Sequence, residues 1–132
     1  MLCLEIPEAA ASANLSRMNR KMAEFKQLGC RIALARFGSG LSSFTDLKAL
    51  PVDYIKIDGR LIRSLADDPL NRAVADAINR IAHEMGIQTV AECTETDGVV
   101  TILKELGIDH AQGYVLAEPL PIEQLFATEP LA

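Results

Sequence analysis

The 132-residue sequence is short of several things, and each shortage closes a class of function. No apolar run approaches the roughly 20 residues that a membrane-spanning helix needs. The N-terminus lacks the basic and small-residue flanks of a secretory signal. There is no excess of positive charge. Thirteen Lys and Arg stand against 18 Asp and Glu, a net charge of -5, which argues against a nucleic-acid polymer as partner. No low-complexity tract is present, and 49% apolar with 23% charged residues describes a globular chain. The cysteines, Cys3, Cys30 and Cys93, are odd in number, scattered, and without metal-like spacing. They read as reduced, mostly buried thiols of a cytoplasmic protein, with a membrane anchor elsewhere in a parent protein left open.

What is present is a rhythm. Leu2 to Ile6 reads as a strand ending at Pro7. Asn14 caps a helix with Leu15, Met18, Met22, Phe25 and Leu28 on one face, stopped by Gly29. Cys30 to Leu34 is the next strand, Phe37-Gly38-Ser39-Gly40 a turn, and Ser43 to Leu50 a short helix with Phe44 and Leu47 inward. Val52 to Ile57 is a strand. Pro69 opens a long helix with Leu70, Val74, Ala77, Ile78, Ile81 and Met85 inward and Gly86 at its end. Ile87 to Ala91 is another strand, and Thr96 or Asp97 begins a helix through Val99, Val100, Leu103 and Leu106 to Gly107. Ile108 to Leu116 supplies a last strand and Pro119 to Phe126 a terminal turn or helix.

Alternating strands and helices mean βα units, hence an α/β fold with parallel strands and outer helices. About five strands fall short of the eight that close a βα barrel. The expectation is a partial TIM-like barrel, about half of one, with residues 1–132 as the C-terminal part of a single barrel domain.

The strand ends carry charges that apolar segments do not need. Glu5 and Glu8, Ala35 and Arg36, Lys56 and Asp58, Glu92 and Glu95, then Gln112 follow successive strands. In a parallel sheet all of them converge on one rim, where α/β proteins place their chemistry. Carboxylates converging with a lysine and an amide suit a divalent metal, a phosphate, or both. For any single residue the plainer reading is a solvated loop or a structural ion pair; the set carries the signal.

These same stretches resemble the EAL-type cyclic-di-GMP phosphodiesterases. Leu4-Glu5-Ile6-Pro7-Glu8 is similar to the family's Glu-x-x-Glu strand, and Leu50-Pro51-Val52-Asp53-Tyr54-Ile55-Lys56-Ile57-Asp58 to its Leu-Pro-Val-Asp-x-Leu-Lys-Ile-Asp strand. Val90-Ala91-Glu92-Cys93-Thr94-Glu95-Thr96 resembles Val-Ala-Glu-Gly-Val-Glu-Thr, and Gln112-Gly113-Tyr114 the Gln-Gly-Tyr of the last strand. Arg36-Phe37-Gly38-Ser39-Gly40-Leu41-Ser42-Ser43 resembles the Asp-Asp-Phe-Gly-Thr-Gly-Tyr-Ser-Ser turn.

The resemblance implies two Mg2+ or Mn2+ ions with Glu5 and Glu92 as ligands, and Lys56 orienting the attacking water. It maps Gln112 onto an active-site glutamine and Glu8 and Glu95 onto glutamates that support the catalytic loop. Two departures stand out. The aspartates that ligate and bridge the metals are Ala35 and Arg36 here, and the half bearing the Glu-Ala-Leu motif lies outside these residues. Two-metal hydrolysis needs anionic bridging ligands to hold dications about 4 Å apart. Alanine offers none, and arginine repels a cation. Arg36 suits a phosphate through bidentate hydrogen bonds; the alternative is a salt bridge to Glu5, Glu8 or Glu92.

The expectation is therefore a degenerate EAL domain of a bacterial cyclic-di-GMP signalling protein. It would act as a nucleotide receptor or interaction module without hydrolysis. Arg36 and Gln112 would hold phosphate, while Lys56, Glu5 and Glu92 are vestigial and no cofactor is expected. One alternative is a Mg2+- or Mn2+-dependent phosphodiesterase yielding pGpG once completed by the missing half or a partner. Another is a nucleotide-free scaffold. Expected partners are cyclic-di-GMP, the rest of a barrel or a second copy, and a GGDEF or sensory domain in the parent protein. Gly59 to Pro69 resembles the family's dimer-surface loop, or is a solvated connector. Cys93 reads as a small packing residue, and His83 and His110 as structural.

Overall fold

The computed structural model describes residues 2–38, 47–92, 94 and 96–112. In chain order the elements are β1 (Cys3–Pro7), α1 (Glu8–Ala13), α2 (Leu15–Gln27), β2 (Arg31–Phe37), β3 (Tyr54–Ile57), α3 (Gly59–Arg63), α4 (Pro69–Glu84), β4 (Gln88–Ala91), α5 (Asp97–Leu106) and β5 (His110–Ala111). The five strands form one sheet in sequence order, and every neighbouring pair is parallel. The expected α/β architecture is present: a parallel sheet with helices packed along its outer face.

Strand alternation sorts the residues onto two faces. Leu4, Ile6, Ile32, Leu34, Ile55, Ile57 and Ala91 face the helices and join one apolar core with Ala11, Met22, Ala75, Ile78, Ala82, Val99 and Leu103. The registers Glu5↔Ala33, Ala33↔Tyr54 and Lys56↔Val90 put Glu5, Ala33, Tyr54, Lys56 and Val90 on the opposite face. One face is therefore core, and the other is where polar side chains gather.

The caps follow the sequence. The Asn14 carboxamide accepts from the Arg17 N–H at 3.2 Å, and the Asp68 carboxylate from Leu70 at 2.9 Å and Asn71 at 3.3 Å, with Pro69 leading α4. Helices α2, α4 and α5 all run out at a glycine with positive φ: Gly29 (87°), Gly86 (73°) and Gly107 (76°).

Several expectations need correction. Leu28 is 79% exposed, because it lies beyond the last turn of α2, and Phe25 is also exposed. On α4, Leu70 and Ala77 are exposed; the buried stripe is Ala75, Ile78, Asn79 and Ala82. Asn79 in mid-stripe gave the inner face a polar signature. Of the thiols, Cys3 is exposed on strand β1 and Cys30 is half-buried. The alanine-rich α1 was not anticipated as a helix. β2 runs three residues beyond Leu34, to Phe37. The turn at Ser39-Gly40, the start of the 43–50 helix, Gly113 to Leu116 and the terminal 119–126 segment lie outside the described residues. Among those described, no helix is long and apolar enough to cross a membrane.

Candidate functional site

Lys56 is the centre of the rim. It sits near the end of β3 with only 7% of its surface exposed, a burial that an ammonium tolerates only when paired. Its Nζ donates to Glu5 Oε1 at 2.5 Å and lies 3.6 Å from Glu92 Oε1. Glu5 reaches it from β1, two strands away, and Glu92 from the residue following β4. Three strand ends thus deliver one cation and two carboxylates to a single point, as the sequence led one to expect.

Glu92 bears the electrostatic load. Burial pushes its carboxyl above the ordinary range; the Lys56 ammonium draws it down, but the neighbouring Glu5 and Asp58 carboxylates push it up again. Asp58, which follows β3, is buried and caps α3. Its carboxylate accepts from the Arg60 N–H at 2.8 Å and lies 3.5 Å from the Arg60 guanidinium. The 59–69 connector thus begins as a capped helical turn.

Ala35 and Arg36 sit in an irregularity of β2. Leu34 pairs with Ile55 and Phe37 with Ile57, so three steps along β2 match two along β3. One extra residue is accommodated, a β-bulge, and Arg36 takes φ 57°, the only positive φ of a non-glycine among the described residues. The bulge lies opposite Lys56. Bulges next to functional sites re-aim side chains, and here the re-aimed side chain is an exposed arginine.

The remaining candidates fall in different places. Glu8 is buried in the first turn of α1. Gln112 is joined to the β4 end through its backbone: its N–H donates to Ala91 O at 2.8 Å, and its carbonyl accepts from Thr94 N–H at 2.8 Å. Its side chain is exposed. Glu95 and Cys93 lie outside the described residues. His83 meets Asp109 at 2.7 Å, and His110 meets Gln88 at 3.1 Å, with the Tyr54 ring 6.0 Å away edge-on. Thr94, given no role from the sequence, is fully buried, and its hydroxyl has no hydrogen-bond partner among the described residues. A threonine where the resembling motif has valine was the available signal.

The family model for the EAL domain matches residues 1–119. The chain belongs to the EAL domain family. It is 39% identical over 121 residues to the cyclic di-GMP phosphodiesterase PdeB of Shewanella oneidensis, covering 92% of this chain and 14% of PdeB. Among solved structures, the MucR phosphodiesterase of Pseudomonas aeruginosa in complex with c-di-GMP superposes with a TM-score of 0.88 at 34% identity. The FimX EAL domain of the same organism, bound to c-di-GMP, superposes at 0.83 and 30%. These alignments cover 94% and 89% of this chain but 50% and 48% of those chains. The chain spans about half of the solved EAL chains it matches, and its parallel sheet is the TIM-like arrangement of that family.

The family's divalent metals can be tested against the donors present. Among the described residues, no three His, Cys, Asp or Glu side chains come together to hold a metal ion. Glu5 and Glu92 converge, but on an ammonium, and the bulge opposite offers a methyl group and a guanidinium. This donor set does not fit a two-metal centre.

Proposed function

We propose that this EAL chain forms the C-terminal part of a TIM-like barrel domain that binds cyclic-di-GMP without cleaving it, as a receptor or interaction module of a signalling protein. The observation that carries this reading is the β2 bulge. At the place where two metal-bridging aspartates would stand, Ala35 supplies no ligand and Arg36 supplies a cation suited to a phosphodiester. Lys56 adds a second positive group, and the Gln112 amide serves as a neutral donor. Glu8, buried in the first turn of α1, would support the rim without a catalytic task. Two solved relatives are c-di-GMP complexes, which favours the same ligand here.

Calorimetric titration of the chain with cyclic-di-GMP in EDTA tests the reading directly. Saturable heat near one ligand per site is expected, with binding weakened about tenfold or more by Arg36→Asp through loss of a charge-assisted pair. No heat up to millimolar ligand would favour the nucleotide-free scaffold. The retained Lys56, Glu5 and Glu92 support a second reading, a phosphodiesterase completed by the rest of a barrel. Appearance of pGpG at an ordinary enzymatic rate in Mn2+ would establish that instead. Among the described residues the sheet ends at β1 and β5, edges that suit pairing with the rest of a barrel or a second copy. Sedimentation that shows only monomer at high concentration would remove the second copy. A GGDEF or sensory domain in the parent protein fits the same role, and one relative is a bifunctional diguanylate cyclase/phosphodiesterase.

A further inference from the structure

On the face of the sheet that carries Glu5 and Lys56, four successive strands open with a polar side chain: Arg31 on β2, Tyr54 on β3, Gln88 on β4 and His110 on β5. The pairings Ala33↔Tyr54, Tyr54↔Gln88 and Val90↔His110 set them side by side, toward the opposite end of the strands from the rim. They are ordered among themselves. Arg31 Nη1 donates to the Tyr54 hydroxyl at 2.5 Å, and the guanidinium carbon stands 5.9 Å from the centre of the Tyr54 ring. That ring meets His110 edge-on at 6.0 Å, and His110 in turn meets Gln88 at 3.1 Å. Arg31 is the one fixed charge of the four, and the group it bonds is neutral. Two aspartates border the layer, and both are engaged elsewhere. Asp53 feels the Arg31 charge, but its oxygens are held by Lys26 Nζ and Ile32 N–H. Asp109 is held by Thr89 N–H and His83. On the same face nearer the rim, Glu5 is held by Lys56.

We propose that Arg31 and Tyr54 form a second anion site, built for a phosphate group and separate from the rim. The donors are in place. The phenol oxygen accepts from Arg31, which leaves the Tyr54 O–H proton for a ligand, and the guanidinium keeps further N–H donors. An arginine held against a ring has little freedom left to lose on binding, and its fork matches two oxygens of one anion. His110, fixed by Gln88, braces the ring from its edge. A planar carboxylate is satisfied by the fork alone, whereas a tetrahedral phosphate has a further oxygen to turn toward the phenol. The site does not rest on nucleotide binding at the rim. It performs no reaction either; the chemistry of this fold belongs to the other end of the strands.

Inorganic phosphate, titrated into the full chain at constant ionic strength and followed by 1H–15N NMR, tests this without a nucleotide. Saturable shifts centred on Arg31, Tyr54, Gln88 and His110 are expected, half-complete at about 1–10 mM. Arg31→Gln should weaken binding about tenfold, and Tyr54→Phe, which keeps the ring, about threefold. Circular dichroism reports that each variant is folded. Unchanged affinity in folded Arg31→Gln would overturn the proposal; where that variant does not fold, unchanged affinity in Tyr54→Phe would do so. Equal shifts with chloride would also overturn it, as would shifts confined to Arg36 and Lys56, which put the phosphate at the rim. Acetate should bind at least about threefold more weakly, and equal binding would overturn the assignment to phosphate. Calorimetry with cyclic-di-GMP reads the separation of the two sites. Arg31→Gln should leave that affinity within about twofold of wild type; a loss of about tenfold would merge the site with the rim and overturn the proposal.

Discussion

At the N-terminal ends of the strands, Asp53 and Asp109 are tied to backbone N–H groups; at the C-terminal ends, Glu5 and Glu92 face each other across Lys56. Asp53 accepts from Ile32 N–H at 2.9 Å and from Lys26 Nζ at 2.8 and 2.9 Å. Asp109 accepts from Thr89 N–H at 2.8 Å and meets His83 at 2.7 Å. Burial pushes both aspartates up, but the hydrogen bonds and cations outweigh it and hold them below the usual carboxylate range. Glu92 goes the other way, with burial and two like charges outweighing Lys56. The same residue types thus stabilise one end of the sheet and load the other. In βα barrels the N-terminal face serves stability and the C-terminal face serves function, and the charges obey that division.

The comparison breaks first at the stable end. Asn79 donates to Leu106 O at 2.9 Å and accepts from the Thr89 hydroxyl at 2.6 Å, and that hydroxyl also reaches Asp109 at 3.3 Å. Asn79→Ala strands a carbonyl and leaves the buried Thr89 hydroxyl only its longer contact with Asp109, and should cost about 2–3 kcal/mol, read from the urea midpoint with the slope unchanged. A loss under 1 kcal/mol would mean that this network is ornamental.

At the loaded end the outcomes should split by residue. Lys56→Met leaves Glu5 and Glu92 facing each other without their cation, and should cost about 2 kcal/mol at neutral pH. Glu92→Gln relieves like-charge crowding while leaving Lys56 its Glu5 partner. It should be neutral or stabilising by about 0.5 kcal/mol. The same charge removal at Asp109, through Asp109→Asn, should destabilise. If Glu92→Gln destabilises as much as Asp109→Asn, the two ends do not differ.

Acid sharpens the contrast further. A carboxylate whose folded pKa is lowered contributes stability that is present in full above its unfolded value and is lost as pH falls through the folded one. For Asp53 and Asp109 that window lies below about 3.8, the ordinary value for aspartate. Urea midpoints taken from pH 6 downward should hold, or rise slightly as the raised Glu92 carboxyl protonates, and then fall in that region. Asp53→Asn and Asp109→Asn should each flatten the fall.

How much of this was legible in the sequence depended on which signal a residue leaves. The parallel βα order was readable because Gly29, Gly86 and Gly107 mark helix ends by a backbone demand that only glycine meets cheaply. The meeting of Glu5, Lys56 and Glu92 was readable because charges at strand ends break an apolar pattern. Asn79 was not, since a buried asparagine on a helix looks like a surface one until its partners on β4 and α5 are placed. Nor was the bulge. Ala35 and Arg36 gave away their departure from the motif, but the extra residue shows only in the pairing of β2 with β3.

Thr94 offers a small effect and tests the loaded end from within its own loop. Its N–H is satisfied by Gln112 O, and its side chain is fully buried with no hydroxyl partner among the described residues. A buried hydroxyl without a partner costs about 1–3 kcal/mol of desolvation, part of which an isosteric methyl recovers. Thr94→Val should therefore raise the urea midpoint by an amount equivalent to about 1 kcal/mol, with no change in cyclic-di-GMP affinity. A lower midpoint would show that the hydroxyl is hydrogen-bonded in solution. Weaker nucleotide binding at unchanged stability would place Thr94 in the ligand's reach, and the rim would then extend into the loop that Gln112 holds.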